Sequence, residues 1–289
     1  MFVSENTLSA SKKYFFDRLE AIFSPSELKS MWTQIICKRM KWTPTELLLK
    51  QQERLSESDL LFVRSFVKGL LQQVPFQYLL GETSFFGLTI SCDSRALIPR
   101  PETEELVDWV RASVKNPKVI LDLCTGSGCI ALALKSIFPT TQVSAIDLSK
   151  DALDLAQENA KKLALSIQFY QKDVLKWDVD FAHEFQELDV IVSNPPYIPN
   201  HEKVTMSAHV LEHEPAMALF VEDADPILFY KKILDFAELH LKSGGLLFFE
   251  LHESFGQQVK FYAESKSFKE IEIRDDLQGK ARMMKAQKA

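Results

Sequence analysis

From Val119 onward, apolar β-branched runs alternate with helical patterns at a pitch that leaves few architectures open. Runs at 119–123, 142–147, 167–171 and 188–193 read as strands, and 129–137, 150–163 and 226–240 as helices. Strands joined through helices pair in parallel, and a parallel sheet has to be covered on both faces. Ser243-Gly244-Gly245 reads as a turn into the apolar strand LLFFEL, and 268–273 with 281–286 as a closing antiparallel pair. The pattern predicts a Rossmann-like α/β domain whose seven-stranded sheet is mostly parallel with an antiparallel closing strand. Ligands of such sheets bind beyond the carboxyl ends of the strands, where strand order reverses. Gly126, Asp147, Asp173 and Asn194 all fall at such ends.

The first of these ends is a glycine turn, Asp122-Leu123-Cys124-Thr125-Gly126-Ser127-Gly128, between a strand and a helical pattern. Asp147 closes the next strand, where an acid can take ribose hydroxyls or cap the following helix; the βαβ context favours the ribose. The spacing differs from the dinucleotide fingerprint: it lacks the third glycine and offers no lysine to a phosphate. Asp122 beside the turn repels a pyrophosphate and favours an ammonium, which points to S-adenosylmethionine rather than NAD or ATP. Asp173 suits an adenine amino group or a helix start. Cys124 has no base beside it and reads as a small apolar filler.

The segment Asn194-Pro195-Pro196-Tyr197 ends the run LDVIVS. Proline cannot continue a ladder, so the chain leaves the strand in a stiff loop. The loop offers two acceptors, the Asn194 side-chain oxygen and the Pro195 carbonyl, and one flat ring, Tyr197. Such a device grips a planar NH2 group.

Residues 1–75 carry helical stripes, among them Leu8, Phe15 and Leu19, then Leu28, Trp32, Ile35 and Ile36. Helix starts are expected at Pro25, Thr43-Pro44 and Leu60. Phe85–Ile90 and Ala96–Pro99 read as two strands of a hairpin turning at Cys92–Arg95. The expected organisation is a helical domain over 1–75, a linker with a β-hairpin over 76–99, and an α/β domain over 100–289. The 289 residues suffice for two domains. A net charge of −6 argues against general affinity for nucleic acid. The four scattered cysteines read as reduced thiols. His209 and His213 lie four apart without a third ligand, so no metal is expected. Neither a signal peptide nor a membrane span is read, and a cytoplasmic location is expected.

Together these segments resemble the release factor glutamine methyltransferases, the HemK/PrmC family. The resemblance rests on Pro75–Gly81, Phe85-Phe86-Gly87, Leu97–Glu104 (LIPRPETE), the DLCTGSG turn, NPPYI, and Glu214-Pro215 ahead of Ala218-Leu219. It implies a class I methyltransferase domain behind a helical substrate-recognition domain. The implied reaction moves a methyl group from S-adenosylmethionine to the side-chain amide nitrogen of the glutamine in the Gly-Gly-Gln motif of class 1 peptide chain release factors, leaving S-adenosylhomocysteine. Carried over, Cys124, Thr125, Gly126, Ser127, Gly128, Asp147, Asp173, Val174 and Asn194 meet the cofactor. The substrate glutamine, and the catalysis, fall to Asn194, Pro195, Pro196 and Tyr197. Two departures stand out: Cys124 occupies a position often held by glycine, and Val174 one where some relatives place Trp. Alternatives sharing the chemistry are a glutamine methyltransferase of a ribosomal protein and a methyltransferase of the exocyclic amines of adenine or guanine in nucleic acid. A monomer is expected; Glu212 and Glu214 could orient substrate or face water.

Overall fold

A computed structural model describes residues 5–177 and 184–289, so residues 1–4 of the expected helical domain lie outside the described residues. The chain divides into two compact units, Met1–Leu80 and Gly81–Ala289.

The first unit is helical: α1 (Leu8–Leu19), α2 (Pro25–Met40), α3 (Pro44–Leu49), α4 (Glu57–Leu71) and α5 (Phe76–Leu80). Ser24, Thr43 and Ser56 open α2, α3 and α4 with reciprocal capping boxes to Glu27, Glu46 and Asp59. The α4 box explains why that helix starts at Glu57, ahead of its first buried apolar residue, Leu60. α5 was not expected from sequence, because five residues are too few to show a helical period. The stripes meet in one core in which the Phe15 and Trp32 rings pack with centroids 5.6 Å apart.

The second unit opens with β1 (Glu82–Phe85) and β2 (Leu88–Ser91). Here the structure corrects the expected hairpin. Phe85 pairs with Leu88, and the turn is Phe86-Gly87, both left-handed at φ 48° and 78°. Two left-handed residues are the signature of the two-residue hairpin turn that matches strand twist. Ala96–Pro99 is not a strand; its Ile98 N–H bonds to the Glu214 carboxylate at 3.2 Å instead of a strand partner.

The α/β body runs α6 (Pro101–Ser113), β3 (Val119–Leu123), α7 (Cys129–Ile137), β4 (Gln142–Asp147), α8 (Lys150–Leu163), β5 (Gln168–Gln171) and β6 (Leu188–Ser193). A short parallel pair follows, β7 (Ile198–Pro199) with β8 (Phe220–Val221), then β9 (Leu241–Glu250), β10 (Phe268–Asp275) and β11 (Ala281–Lys288). The main sheet has the order β10-β11-β9-β6-β3-β4-β5. β5, β4, β3, β6 and β9 pair in parallel, while β11 joins β9 and β10 joins β11 antiparallel. Ser243–Gly245 lie inside β9 rather than in a turn before it, with a register irregularity against β6 between Leu188 and Val190. Alternation across the pleat builds two cores: Ile191, Leu247 and Phe249 face one layer, and Val190, Val192 and Phe248 the other. Helices Ala208–His213 and Gly256–Glu264 were also not anticipated.

Strand order reverses between β3 and β6, since β4 continues from β3 on one side and β6 lies on the other. Across that reversal Leu123 is level with both Ile146 and Ser193, and Ser193 with Phe249. The next residue on each strand is therefore Cys124, Asp147, Asn194 or Glu250, and all four arrive at one rim.

Gly128, with φ at 82°, sits where the glycine turn passes α8; a Cβ there would approach the Ala156 Cβ at 3.0 Å. Replacing Gly128 with Ala should lower stability by about 2 kcal/mol, a Tm drop of roughly 4–8 °C in a thermal melt. An unchanged Tm would contradict this close approach.

Candidate active site

The glycine turn is held from below and from the side. Asp122, fully buried, accepts the Thr125 hydroxyl at 2.6 Å and the Ala131 N–H at 3.2 Å on one carboxyl oxygen, while its other oxygen has no partner among the described residues. Burial pushes its pKa up to about 7. Asp147 accepts the Gly126 N–H at 2.8 Å and the Ser149 N–H at 2.9 Å, so it braces both the turn and the residue that caps α8. Burial raises its pKa against those two backbone donors. Cys124 is left-handed at φ 60°, the backbone conformation for which glycine is usual. Burial raises the Cys124 thiol well above its ordinary range and Cys129 to about 12, which keeps both protonated and unreactive.

A cavity of about 1030 Å³, open to solvent, lies over this rim. Of the residues proposed from sequence, Cys124, Thr125, Gly126, Ser127, Asp147, Asp173, Val174, Asn194 and Pro196 line it. Gly128, Pro195 and Tyr197 do not. Asp173 caps its own loop by accepting the Leu175 N–H at 2.9 Å, and Val174 is buried against the core. Leu148, about half exposed, and Phe229 add apolar lining that the sequence reading did not single out.

At the end of β6 the structure shows a network that sequence reasoning missed. Asn194 Nδ2 donates to Thr103 Oγ1 at 3.3 Å, and the Thr103 hydroxyl donates to Glu250 Oε2 at 2.6 Å. Tyr197 OH donates to the other Glu250 oxygen at 3.0 Å. Glu250 is buried, and loss of water raises its pKa while the two hydroxyl donors oppose that rise. The Tyr197 hydroxyl is thereby anchored, and its ring and that of His252 meet in an edge arrangement with centroids 6.0 Å apart. The signal for Glu250 was present, since it is one more polar residue ending an apolar strand, as Asp147 is.

Glu214 likewise neither faces water nor stands free. Its buried carboxylate pairs with Arg100 at 2.5 Å and accepts the Ile98 N–H, tying the loop after NPPY to the LIPRP segment. Glu212 is exposed. Among the described residues, no group of three or more His, Cys, Asp or Glu is placed to hold a metal, and no helix is long and apolar enough to cross a membrane.

The donor set fits an adenosyl amino acid. Carboxylates stand at the ends of β4 and β5, Leu148, Val174 and Phe229 offer apolar walls to a flat base, and the Ser127 hydroxyl is buried without a partner among the described residues. Fold and rim define a class I methyltransferase. The "Methyltransferase small domain" profile matches residues 103–223, and the "PrmC N-terminal domain" profile residues 13–81. A release factor glutamine methyltransferase of Flavobacterium psychrophilum is 41% identical over 94% of this chain and 95% of its own length. One of Bacteroides thetaiotaomicron is 34% identical over 94% and 97%. The chain belongs to the release factor glutamine methyltransferase family. Its fold is also that of a methyltransferase of Pyrococcus furiosus, with TM-score 0.51 and 18% identity over 71% of this chain and 90% of that one.

A carboxyl whose folded pKa lies above its unfolded value of about 4 stabilises the fold most below that value, and the contribution is lost as pH rises toward about 7. Asp122→Asn can keep the Thr125 and Ala131 bonds without a charge. Its stability relative to wild type, followed by Tm, should climb between about pH 4 and pH 7 and then level off. A pH-independent difference would show that Asp122 titrates normally.

Proposed function

We propose that this protein methylates the side-chain amide nitrogen of the glutamine in the Gly-Gly-Gln motif of class 1 peptide chain release factors. The methyl donor is S-adenosylmethionine and the second product S-adenosylhomocysteine. Family membership supports methylation of a release factor glutamine. The observation that carries the choice of atom is the Asn194 amide, whose NH2 is used on Thr103 while its oxygen takes no hydrogen bond among the described residues.

S-adenosylmethionine supplies an electrophilic methyl group. Asp147, at the end of β4, takes the ribose hydroxyls on lone pairs not used by Gly126 and Ser149, and Asp173 and Val174 take the adenine edge and face. The Cys124–Gly128 turn lets the backbone come close to the cofactor. An amide nitrogen is a weak nucleophile because its lone pair is shared with the carbonyl. Asn194 Oδ1 and the Pro195 carbonyl each accept one N–H of the glutamine, which orients the nitrogen and favours its pyramidal form. No strong base is required, because the methylated nitrogen is acidic enough to shed a proton to water. Positioning of this kind contributes several kcal/mol in favourable cases. Pro196 stiffens the loop, and Tyr197 holds it down through Glu250.

Among its described residues the helical unit supplies no polar cluster of this kind, and it serves to grip the release factor as a protein. The acidic net charge and the family favour a protein substrate over nucleic acid. A substrate that works in translation places the enzyme in the cytoplasm, acting as a monomer.

Asn194→Ala should lower kcat for methyl transfer to a release factor by about 10²–10³, with a much smaller change in cofactor affinity. Wild-type kcat in this variant would remove Asn194 from the mechanism. Asp147→Ala should weaken cofactor binding measured by calorimetry by at least about tenfold, since a hydrogen bond to a charged group contributes about 1.5–3 kcal/mol and tenfold is about 1.4. An unchanged Kd would refute the ribose role.

A further inference from the structure

We infer that Thr103 and Glu250 act as positioning residues that decide which atom of the Asn194 amide faces the substrate. This rests on the proposed role of Asn194. Asparagine presents a donor at one end of its amide and an acceptor at the other, with nearly the same shape. Gripping an NH2 group requires the oxygen end. With the amide reversed, two NH2 groups would face each other and neither could accept.

The hydrogen-bond direction is forced from the buried end outward. Both Glu250 oxygens are engaged by hydroxyls, Oε2 by Thr103 at 2.6 Å and Oε1 by Tyr197 at 3.0 Å. An ionised carboxylate only accepts, so the single Thr103 proton goes to Glu250. Thr103 Oγ1 is left with lone pairs alone, and what it can bind from Asn194 is an N–H. The Asn194 oxygen is thereby turned toward the cavity that both residues line. Thr103 is buried in the first turn of α6, and Glu250 follows Phe249, the register partner of Ser193, so the backbone holds all three members in place.

A second constraint keeps the sequence of donors from reversing. The backbone carbonyl of Glu250 accepts the buried Tyr230 hydroxyl at 3.1 Å, which fixes the end of β9. Burial raises the Glu250 pKa, and the Thr103 and Tyr197 hydroxyls and the Arg282 guanidinium on β11 oppose that rise. Glu250 does not line the cavity, and the Thr103 hydroxyl is taken up between Glu250 and Asn194, so the effect passes through Asn194.

Thr103→Val keeps the shape and deletes the hydroxyl. With a purified release factor as substrate, kcat should fall about 10- to 100-fold while the KM for release factor and the Kd for S-adenosylhomocysteine stay within about threefold. Thr103→Ser, which restores the hydroxyl, should recover kcat to within about threefold of wild type. The double variant Thr103→Val/Asn194→Ala should be no slower than Asn194→Ala alone, because the relay has nothing left to orient. An active wild type whose Thr103→Val variant keeps full kcat, or a double variant whose losses multiply, overturns the relay while leaving the proposed function standing. A wild type that leaves the release factor unmethylated overturns that function and this role with it. Retained S-adenosylhomocysteine binding separates either result from misfolding.

Discussion

The parallel pairing of β4, β3, β6 and β9 is the constraint on which the rest of this molecule depends. Parallel strands in register end level with one another, so the residue after each strand joins a common rim. Because strand order reverses between β3 and β6, the two halves of that rim splay apart over a cavity. One half offers Asp147 and the glycine turn, suited to a nucleoside and an amino acid. The other offers the Asn194 amide, suited to a group that donates N–H bonds, with Glu250 buried behind it. A slip of one residue in any of these pairings would send every side chain of that strand to the opposite face and dissolve both the core and the rim.

Three carboxylates are buried around this rim, and each is bound in a way that fits its position. Asp122 props the glycine turn through Thr125 and Ala131, at the cost of a pKa raised to about 7. Glu214 pins the loop after NPPY onto Arg100 and Ile98. Glu250 orders the hydroxyls beside Asn194. Burying a carboxylate is costly unless donors surround it, and each of the three takes at least one donor from a loop at the rim: Thr125, Ile98 or Tyr197. The expense of burial is thus spent on holding loops that no apolar packing could orient.

Much of this was legible in the chain. Strands 119–123, 142–147 and 188–193 stand where their apolar periodicity put them, because buried parallel strands are short, dense and bounded by turns. The glycine turn, Asp147 and Asn194 were found because polar residues that end such strands are conspicuous. The hairpin was misplaced because Phe86-Gly87 looks like strand interior until the positive φ of both residues is seen. Thr103 and Glu250 went unassigned because they are 147 residues apart: the register of β9 against β6 brings Glu250 beside Asn194, and the packing of α6 brings Thr103. Glu214 looked free to contact water or substrate for the same reason, its partner Arg100 being distant in sequence. Long-range polar pairing is what a single sequence conceals.

In the proposed function the rim grips a glutamine side-chain amide and presents its nitrogen for methylation. The most direct test is to incubate the full chain with isotopically labelled S-adenosylmethionine and an unmodified class 1 release factor, then map the label by peptide mass spectrometry. A single added methyl group on the side-chain nitrogen of the Gly-Gly-Gln glutamine is the predicted result. Label on another residue of the release factor, or none there alongside label on a ribosomal protein or on RNA, would contradict it.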